Sequence, residues 1–314
     1  MATGGGSKAI VAALVANVGI AVTKFIAFLL TSSSSMLAES IHSLADSGNQ
    51  VLLLVGGKRA KRAATPDHPF GYGRERYVYA FIVSIVLFSI GGLFALYEAY
   101  HKWLDPHPIT AWKWVPITVL VAAIAMESYS FRTAIVESNH VRGDRPWVEF
   151  VRTAKAPELP VVLLEDLAAL IGLVLALFGV TLTLVTEDGR WDAVGTGLIG
   201  VLLVTVAVVL AVEMKSLLIG ESASPQAVRR IQEALVGEGV VSVIHLKTLH
   251  LGPEELLVAA KIEVDAGESA AEVARAIDAA EQRVRAVEPI ARQIYLEPDL
   301  RRTAPQADAQ PVTR

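Results

Sequence analysis

The sequence predicts a polytopic α-helical membrane protein with six transmembrane helices, followed by a small α+β domain in the aqueous phase. Three observations carry this reading. Six apolar segments, at about 8–30, 36–57, 76–100, 113–137, 157–185 and 191–214, each reach the roughly 20 residues that a helix needs to cross a bilayer. The whole chain of 314 residues is 53% hydrophobic and 19% charged, too apolar a balance for an ordinary soluble domain. From about residue 221 the pattern changes to alternating charged and apolar residues, the mark of amphipathic helices and half-buried strands.

Loop charge orients the spans. The stretch 58–76, "KRAKRAATPDHPFGYGRER", holds six Lys/Arg, and 132–155 holds Arg132, Arg142, Arg145, Arg152 and Lys155. The alternate loops are poor in cations: "TSSSS" has none, 101–113 has Lys102 and Lys113, and "TEDGRW" has Arg190. The positive-inside rule places the rich loops and both termini in the cytoplasm. The chain reads as residues 1–7 disordered, 8–220 in the membrane, 221–300 as the cytoplasmic domain and 301–314 as a disordered tail.

In that domain "SPQAVRRIQEALVGEG" starts a helix, with Ser224 as N-cap and Pro225 at the first helical position. "VVSVIHLKTLHL" and "ELLVAAKIEVD" are rich in β-formers and are joined by "GPE". "SAAEVARAIDAAEQRVRAV" is an amphipathic helix capped by Ser269, and "IARQIYLEP" is a last strand. The order αββαβ suggests a sheet with helices on one face.

Several function classes drop out. A formal charge of −4 lacks the basic excess that a nucleic-acid partner demands. With no cysteine there is no disulfide, thiolate metal site or redox motif. Any metal would fall to His, Asp, Glu, Asn or backbone oxygen. No nucleophile–base pair, phosphate loop or cofactor fingerprint points to an enzyme. "MATGGGSK" lacks the layout of a cleaved signal peptide, and with the compact loops this favours a bacterial inner membrane.

The second span raises the functional question. In "LAESIHSLADSGNQ" Glu39, His42, Asp46 and Asn49 are spaced three, four and three apart, on one stripe of a helix. Ionisable groups inside a bilayer are costly unless they face protein or water. His42 and Asp46, at i and i+4, have the spacing of helical metal sites. They equally suit a structural hydrogen-bonded pair. The fifth span, "PELPVVLLEDLAALIGLVLALFG", carries Glu165 and Asp166 side by side with no Lys or Arg in the same span. Two adjacent acids are harder to explain by packing than one, and function is the preferred reading. Lys24 in the first span is expected to snorkel or to pair with an acid at a helix end. Glu127, with Ser128 and Ser130, suits either a pathway or helix packing. "HPFGYGRER" reads as a turn with snorkelling arginines. His245 and His250, five apart on a strand, point to opposite faces and make a poor metal pair.

Taken together, "SSMLAESIHSLADSGNQ", "HPFGYGRERY", the acidic fifth span and "LLIGESASP" before the αββαβ domain resemble the cation diffusion facilitator family, over about residues 8–300. The resemblance implies six membrane helices, a cytoplasmic ferredoxin-like domain, a homodimer, and exchange of a divalent cation, most often Zn²⁺, for protons. It implies a transport site with two ligands from span two, here His42 and Asp46, and two from span five. Of the latter, Asp166 is present, while Val162 stands one turn earlier where the family carries His or Asp. Glu165 is the candidate fourth ligand, with Glu127 or Asn17 behind it. "VVLLEDLAALIG" resembles a branch that includes mitochondrial zinc carriers of animals, altered at the same place.

A set poorer in nitrogen favours harder ions, so Mn²⁺, Fe²⁺ or Co²⁺ are alternative cargoes. A non-transporting membrane scaffold or sensor, its site broken by Val162, is the reading from another class. The family's accessory sites are expected to be absent, since Tyr72 stands near His68 and Lys261 replaces a ligand in the soluble domain. A charged ammonium cannot ligate a metal.

Overall fold

The computed structural model describes residues 5–109 and 112–300, with side chains from Asn17 onward. The expected disordered tail and residues 1–4 lie outside the described residues; α1 begins at Gly5. The chain divides into two compact units, residues 1–218 and 219–314.

The first unit is helical: α1 (Gly5–Thr31), α2 (Ser34–Ala60), α3 (Glu75–Val86), a π-helical segment Leu87–Leu93, α4 (Phe94–Leu104), α5 (Trp114–Arg142), α6 (Trp147–Thr153), α7 (Glu158–Thr186) and α8 (Arg190–Ile219). Helix α3, the π segment and α4 run on as one stretch. Among the described residues, four stretches are long and apolar enough to cross a membrane: Glu75–Leu104, Trp114–Arg142, Glu158–Thr186 and Arg190–Ile219. The described part of α1 adds the apolar run Asn17–Thr31. Helix α2 has the length, but the polar stripe through its middle dilutes its apolar character.

Helix ends follow local chemistry. The start of α2 is fixed by Ser33, whose Oγ accepts from the Met36 amide, and its last turn carries Lys58 and Arg59, favourable against the helix dipole. Helix α6, over "WVEFVRT", is an added feature in what the sequence reads as a polar loop. Pro146 precedes it and Phe150 is fully buried. Small residues let the bundle close. A Cβ on Gly92, in the π segment, would meet Val204 Cγ2 at 2.7 Å, so α8 can pack there only against glycine. The core of the bundle gathers Tyr77, Leu87, Leu120, Leu173, Ile199 and Leu210.

The second unit holds α9 (Pro225–Leu235), β1 (Ser242–Gly252), β2 (Glu255–Glu263), α10 (Ala270–Val287) and β3 (Ala291–Asp299). The order helix–strand–strand–helix–strand is the one the sequence suggests. Strands β1 and β2 pair antiparallel, and α10 carries the chain over so that β3 pairs parallel to β2. Ser224 caps α9, and Ser269 with Glu272 forms a capping box on α10. Leu256, Val258, Ala260 and Ile262 alternate along β2 into a core with Ile231 and Val284.

On the other face Lys261 bonds Asp299 at 2.8 Å and Glu297 at 3.1 Å. The hydrogen bond to Asp299, then that to Glu297, holds the Lys261 ammonium above its ordinary pKa. It is an ion-pair partner, not a donor to metal. His245 is exposed and His250 is buried, with Nδ1 3.3 Å from the Gly252 carbonyl oxygen.

Candidate metal site

The stripe on α2 is buried along its length: Glu39, His42, Asp46 and Asn49 all lie inside the bundle. Their spacing forces this, because one face of an amphipathic membrane helix turns its polar groups toward protein. His42 Nδ1 stands 3.4 Å from Asp46 Oδ1. Neither ring nitrogen of His42 has a hydrogen-bond partner, nor has Asp46 Oδ1. Buried polar atoms are normally satisfied, so an unsatisfied imidazole and carboxylate side by side call for an explanation. The π-helical segment borders the pair: a Cβ on Gly91 would lie 3.9 Å from His42 Nδ1. Such segments recur at functional sites.

The two acids of α7 diverge. Glu165 faces α2, where Asn49 Nδ2 donates to its Oε1 at 2.5 Å. Asp166 faces α5, where its Oδ2 accepts from Ser130 Oγ at 2.9 Å. Glu127, also on α5, is buried. Val162 packs against the small cluster of Ala134, Phe150 and Leu163. The structure therefore turns Glu165 toward the α2 stripe that carries His42 and Asp46, through Asn49, and directs Asp166 to α5. Among the described residues, no three His, Asp or Glu side chains are gathered as a ready-made metal cage.

Lys24 does not snorkel. It is 1% exposed, and its Nζ bonds Glu39 Oε2 at 3.0 Å and Ser43 Oγ at 2.8 Å. The acid it finds lies on the α2 stripe. The other oxygen, Glu39 Oε1, has no partner. A Cβ on Gly172 of α7 would come within 2.9 Å of it, so glycine leaves the room Glu39 occupies.

Sequence reasoning missed two contacts. Asn49 was on the stripe, but its partner Glu165 lies on another helix. Asp192, buried in the first turn of α8, accepts from Ser33 Oγ at 3.0 Å, the Ser34 amide at 2.8 Å, Ser34 Oγ at 3.1 Å and the Ser35 amide at 3.3 Å. It ties the buried start of α2 to α8. The serine run "SSSS" signals a helix start, while the distant acid that completes it leaves no local trace.

At "HPFGYGRER" the turn reading fits. Tyr72 Oη lies 3.2 Å from His68 Nδ1 with the rings stacked, and the Arg62 guanidinium sits over Tyr72. Arg76 goes further than a snorkelling side chain, pairing with Glu158 at the start of α7.

The model of the cation efflux transmembrane domain matches residues 10–219. The proton-coupled zinc antiporter SLC30A9, mitochondrial, of Xenopus laevis is 32% identical over 246 residues, 77% of this chain and 44% of that protein. Its Homo sapiens counterpart is 31% identical over 245 residues, 77% of this chain and 43% of that protein. Metal tolerance protein C4 of Arabidopsis thaliana is 27% identical over 260 residues, 82% of this chain and 56% of that protein. The chain thus spans less than half the length of the two antiporters. The family model runs from the first helix through the polar stripe of α2 and the acids of α7 to the end of α8, and on that match the chain is an integral membrane protein of the cation efflux, or cation diffusion facilitator, family.

Proposed function

We propose that the protein is a divalent cation/proton antiporter that exports Zn²⁺ from the cytoplasm, with His42, Asp46, Glu165 and Asp166 as the metal-binding groups. The observation that carries this is the pair of unsatisfied ligands on α2: a buried imidazole and a buried carboxylate, one turn apart, facing an acidic helix. An imidazole with carboxylates is an accepted Zn²⁺ donor set, and Zn²⁺ prefers four ligands. Metal ligands bind deprotonated, so cation and protons compete for one set of groups, which is the chemical basis of exchange. An imidazole switches near neutral pH, with a reference pKa of about 6.5. In this reading Zn²⁺ enters from the cytoplasm and displaces protons. The helices rock, the site opens outward, and protons displace the metal, the general alternating-access scheme.

The reading includes six spans, α1 and α2 joining the four strongly apolar stretches, with both termini cytoplasmic as the loop cations direct. It also includes a ferredoxin-like fold for the second unit and a homodimeric assembly.

Val162 favours a second cargo. With an apolar residue one turn before Asp166, the donor set is rich in oxygen and has one nitrogen, a balance that suits Mn²⁺, Fe²⁺ or Co²⁺ better than a two-histidine site would. Transport into proteoliposomes under an imposed pH gradient separates the readings, with Zn²⁺ and Mn²⁺ offered singly and internal pH recorded. Zn²⁺ uptake against counter-flowing protons, abolished by Asp46→Ala in folded protein, is the expected result. Mn²⁺ movement alone would assign the harder cargo. Transport retained by Asp46→Ala would reject the site.

A further inference from the structure

A groove of about 750 Å³ opens where the second half of α5, the short helix α6, the first turns of α7 and the end of α8 meet. Its walls include Phe131, Ile135, Val151, Leu163, Leu167 and Val209. Its polar edge is one ion pair, Arg152 of α6 and Glu213 of α8, with Nε 3.5 Å from Oε1. The volume lies within the roughly 300–1,000 Å³ of sites for small molecules.

The groove opens outward from the bundle. On its rim, Val148 is 70% exposed and Val212 is 59% exposed. An apolar rim of this kind on a membrane protein meets acyl chains, not water. Helix α6 has the marks of the headgroup level. Trp147 and Val148 are exposed, and the Arg142 guanidinium covers the Trp147 ring at 4.4 Å. Tryptophan with arginine is the usual dressing of the membrane–water boundary.

We propose that this groove is a phospholipid site, with an acyl chain along the apolar walls and the headgroup of phosphatidylethanolamine across Arg152 and Glu213. The charges select the headgroup. A guanidinium takes phosphate through two parallel N–H···O bonds. A carboxylate beside it repels a purely anionic headgroup but accepts from a primary ammonium. A quaternary ammonium has no N–H to give. At 3.5 Å the Arg152–Glu213 contact is long for a charge-assisted hydrogen bond, and the Arg152 side chain is 71% exposed. Both charges therefore keep capacity for a ligand. The site is separate from the metal site and does not depend on the transport reading. The two do share a helix, since Leu163, Leu164 and Leu167 on the groove wall flank Glu165 and Asp166.

Native mass spectrometry of the full-length protein released from detergent tests this. It is titrated in turn with phosphatidylethanolamine, phosphatidylcholine and phosphatidylglycerol of matched chains. The ethanolamine lipid should be retained about tenfold more tightly than either other, the order of one charge-assisted hydrogen bond. Glu213→Gln should bring it down to the level of the choline lipid. Val212→Trp fills the groove from the rim without touching a charge and should weaken all three. The unfolding midpoint of each variant checks folding. Equal retention of the three lipids by the wild type would overturn the proposal. So would retention unchanged by both Arg152→Gln and Val212→Trp. Loss of a dimer on Val212→Trp, with lipid retention unchanged, would assign the groove to a second copy of the chain instead.

Discussion

Lys24 and Glu39 offer a direct test of how this bundle tolerates charge. Their charged atoms lie 3.0 Å apart, with side chains 1% and 0% exposed. At an effective dielectric of about 20 the attraction at that distance is about 5–6 kcal/mol. Little of it remains as net stability, because both ions have been stripped of water. The consequence is asymmetric. Lys24→Met leaves the Glu39 carboxylate alone in an apolar bundle, with Oε1 already unpartnered, and removes the donor to Ser43 Oγ. The expected loss is about 3–5 kcal/mol, the usual cost of breaking a buried pair from one side. Lys24→Met with Glu39→Leu removes the charge altogether and should restore the protein to within about 1–2 kcal/mol of wild type. The assay is unfolding of the purified protein in mild detergent, followed by tryptophan fluorescence, for wild type, both single variants and the double. The four midpoints form a double-mutant cycle. A wild-type midpoint for Lys24→Met would refute burial of the pair. A double variant as unstable as the single would mean that lost packing, not uncompensated charge, sets the cost.

Three further outcomes are expected. Asp192→Ala leaves Ser33 as the cap of α2 but leaves the Ser34 and Ser35 amides buried without an acceptor, so the same unfolding assay should show a loss of about 3 kcal/mol. Val162→Asp puts a carboxylate into the apolar cluster of Ala134, Phe150 and Leu163, on the α7 face it shares with Asp166, so it should leave equilibrium Zn²⁺ binding to this conformation, measured by equilibrium dialysis, within about a few fold of wild type while lowering the unfolding midpoint. In the second unit, hydrogen bonds from the Ser269 backbone amide and then its side chain hold Glu272 below its ordinary pKa of 4.5. A depressed carboxylate adds stability that is present above pH 4.5 and is lost as pH falls through the lower folded value. Glu272→Gln should therefore flatten that acid limb in circular dichroism of the full-length protein.

What could be read in the sequence follows from how each feature is encoded. The long apolar stretches are a one-dimensional signal, and the helices Glu75–Leu104, Trp114–Arg142, Glu158–Thr186 and Arg190–Ile219 fall where hydropathy puts them. The element order of the second unit is equally local, written in Ser224–Pro225, the β-rich runs and the Ser269 capping box. His42 and Asp46 could be paired because i and i+4 are neighbours on any helix. Contacts across helices have no such local code. Lys24 finds Glu39 across 15 positions, Asn49 finds Glu165 across 116, and Asp192 finds Ser34 across 158. Helix α6 left a faint mark, with Trp147, Phe150 and Val151 at helical spacing after Pro146, but seven residues are too few for periodicity to stand out from a loop.

Glu165 and Asp166 show where the limit lies, and why it matters for mechanism. Adjacent residues on a helix point about 100° apart, so α7 cannot present both carboxylates to α2 in one orientation. The sequence says that one of them faces away, and the resemblance puts Asp166 in the site with Glu165 as the candidate fourth ligand. In the structure Glu165 meets Asn49 while Asp166 is held by Ser130 of α5. A cation drawn to His42 and Asp46 in this arrangement meets Glu165 first, and Asp166 joins only if α7 turns or Ser130 lets go. The two acids then have separable roles. Glu165→Gln should weaken equilibrium Zn²⁺ binding to this conformation, while Asp166→Asn should spare much of that binding and still block transport. Equal loss of binding in both variants would place the two carboxylates in one shell and refute the division that α7 imposes here.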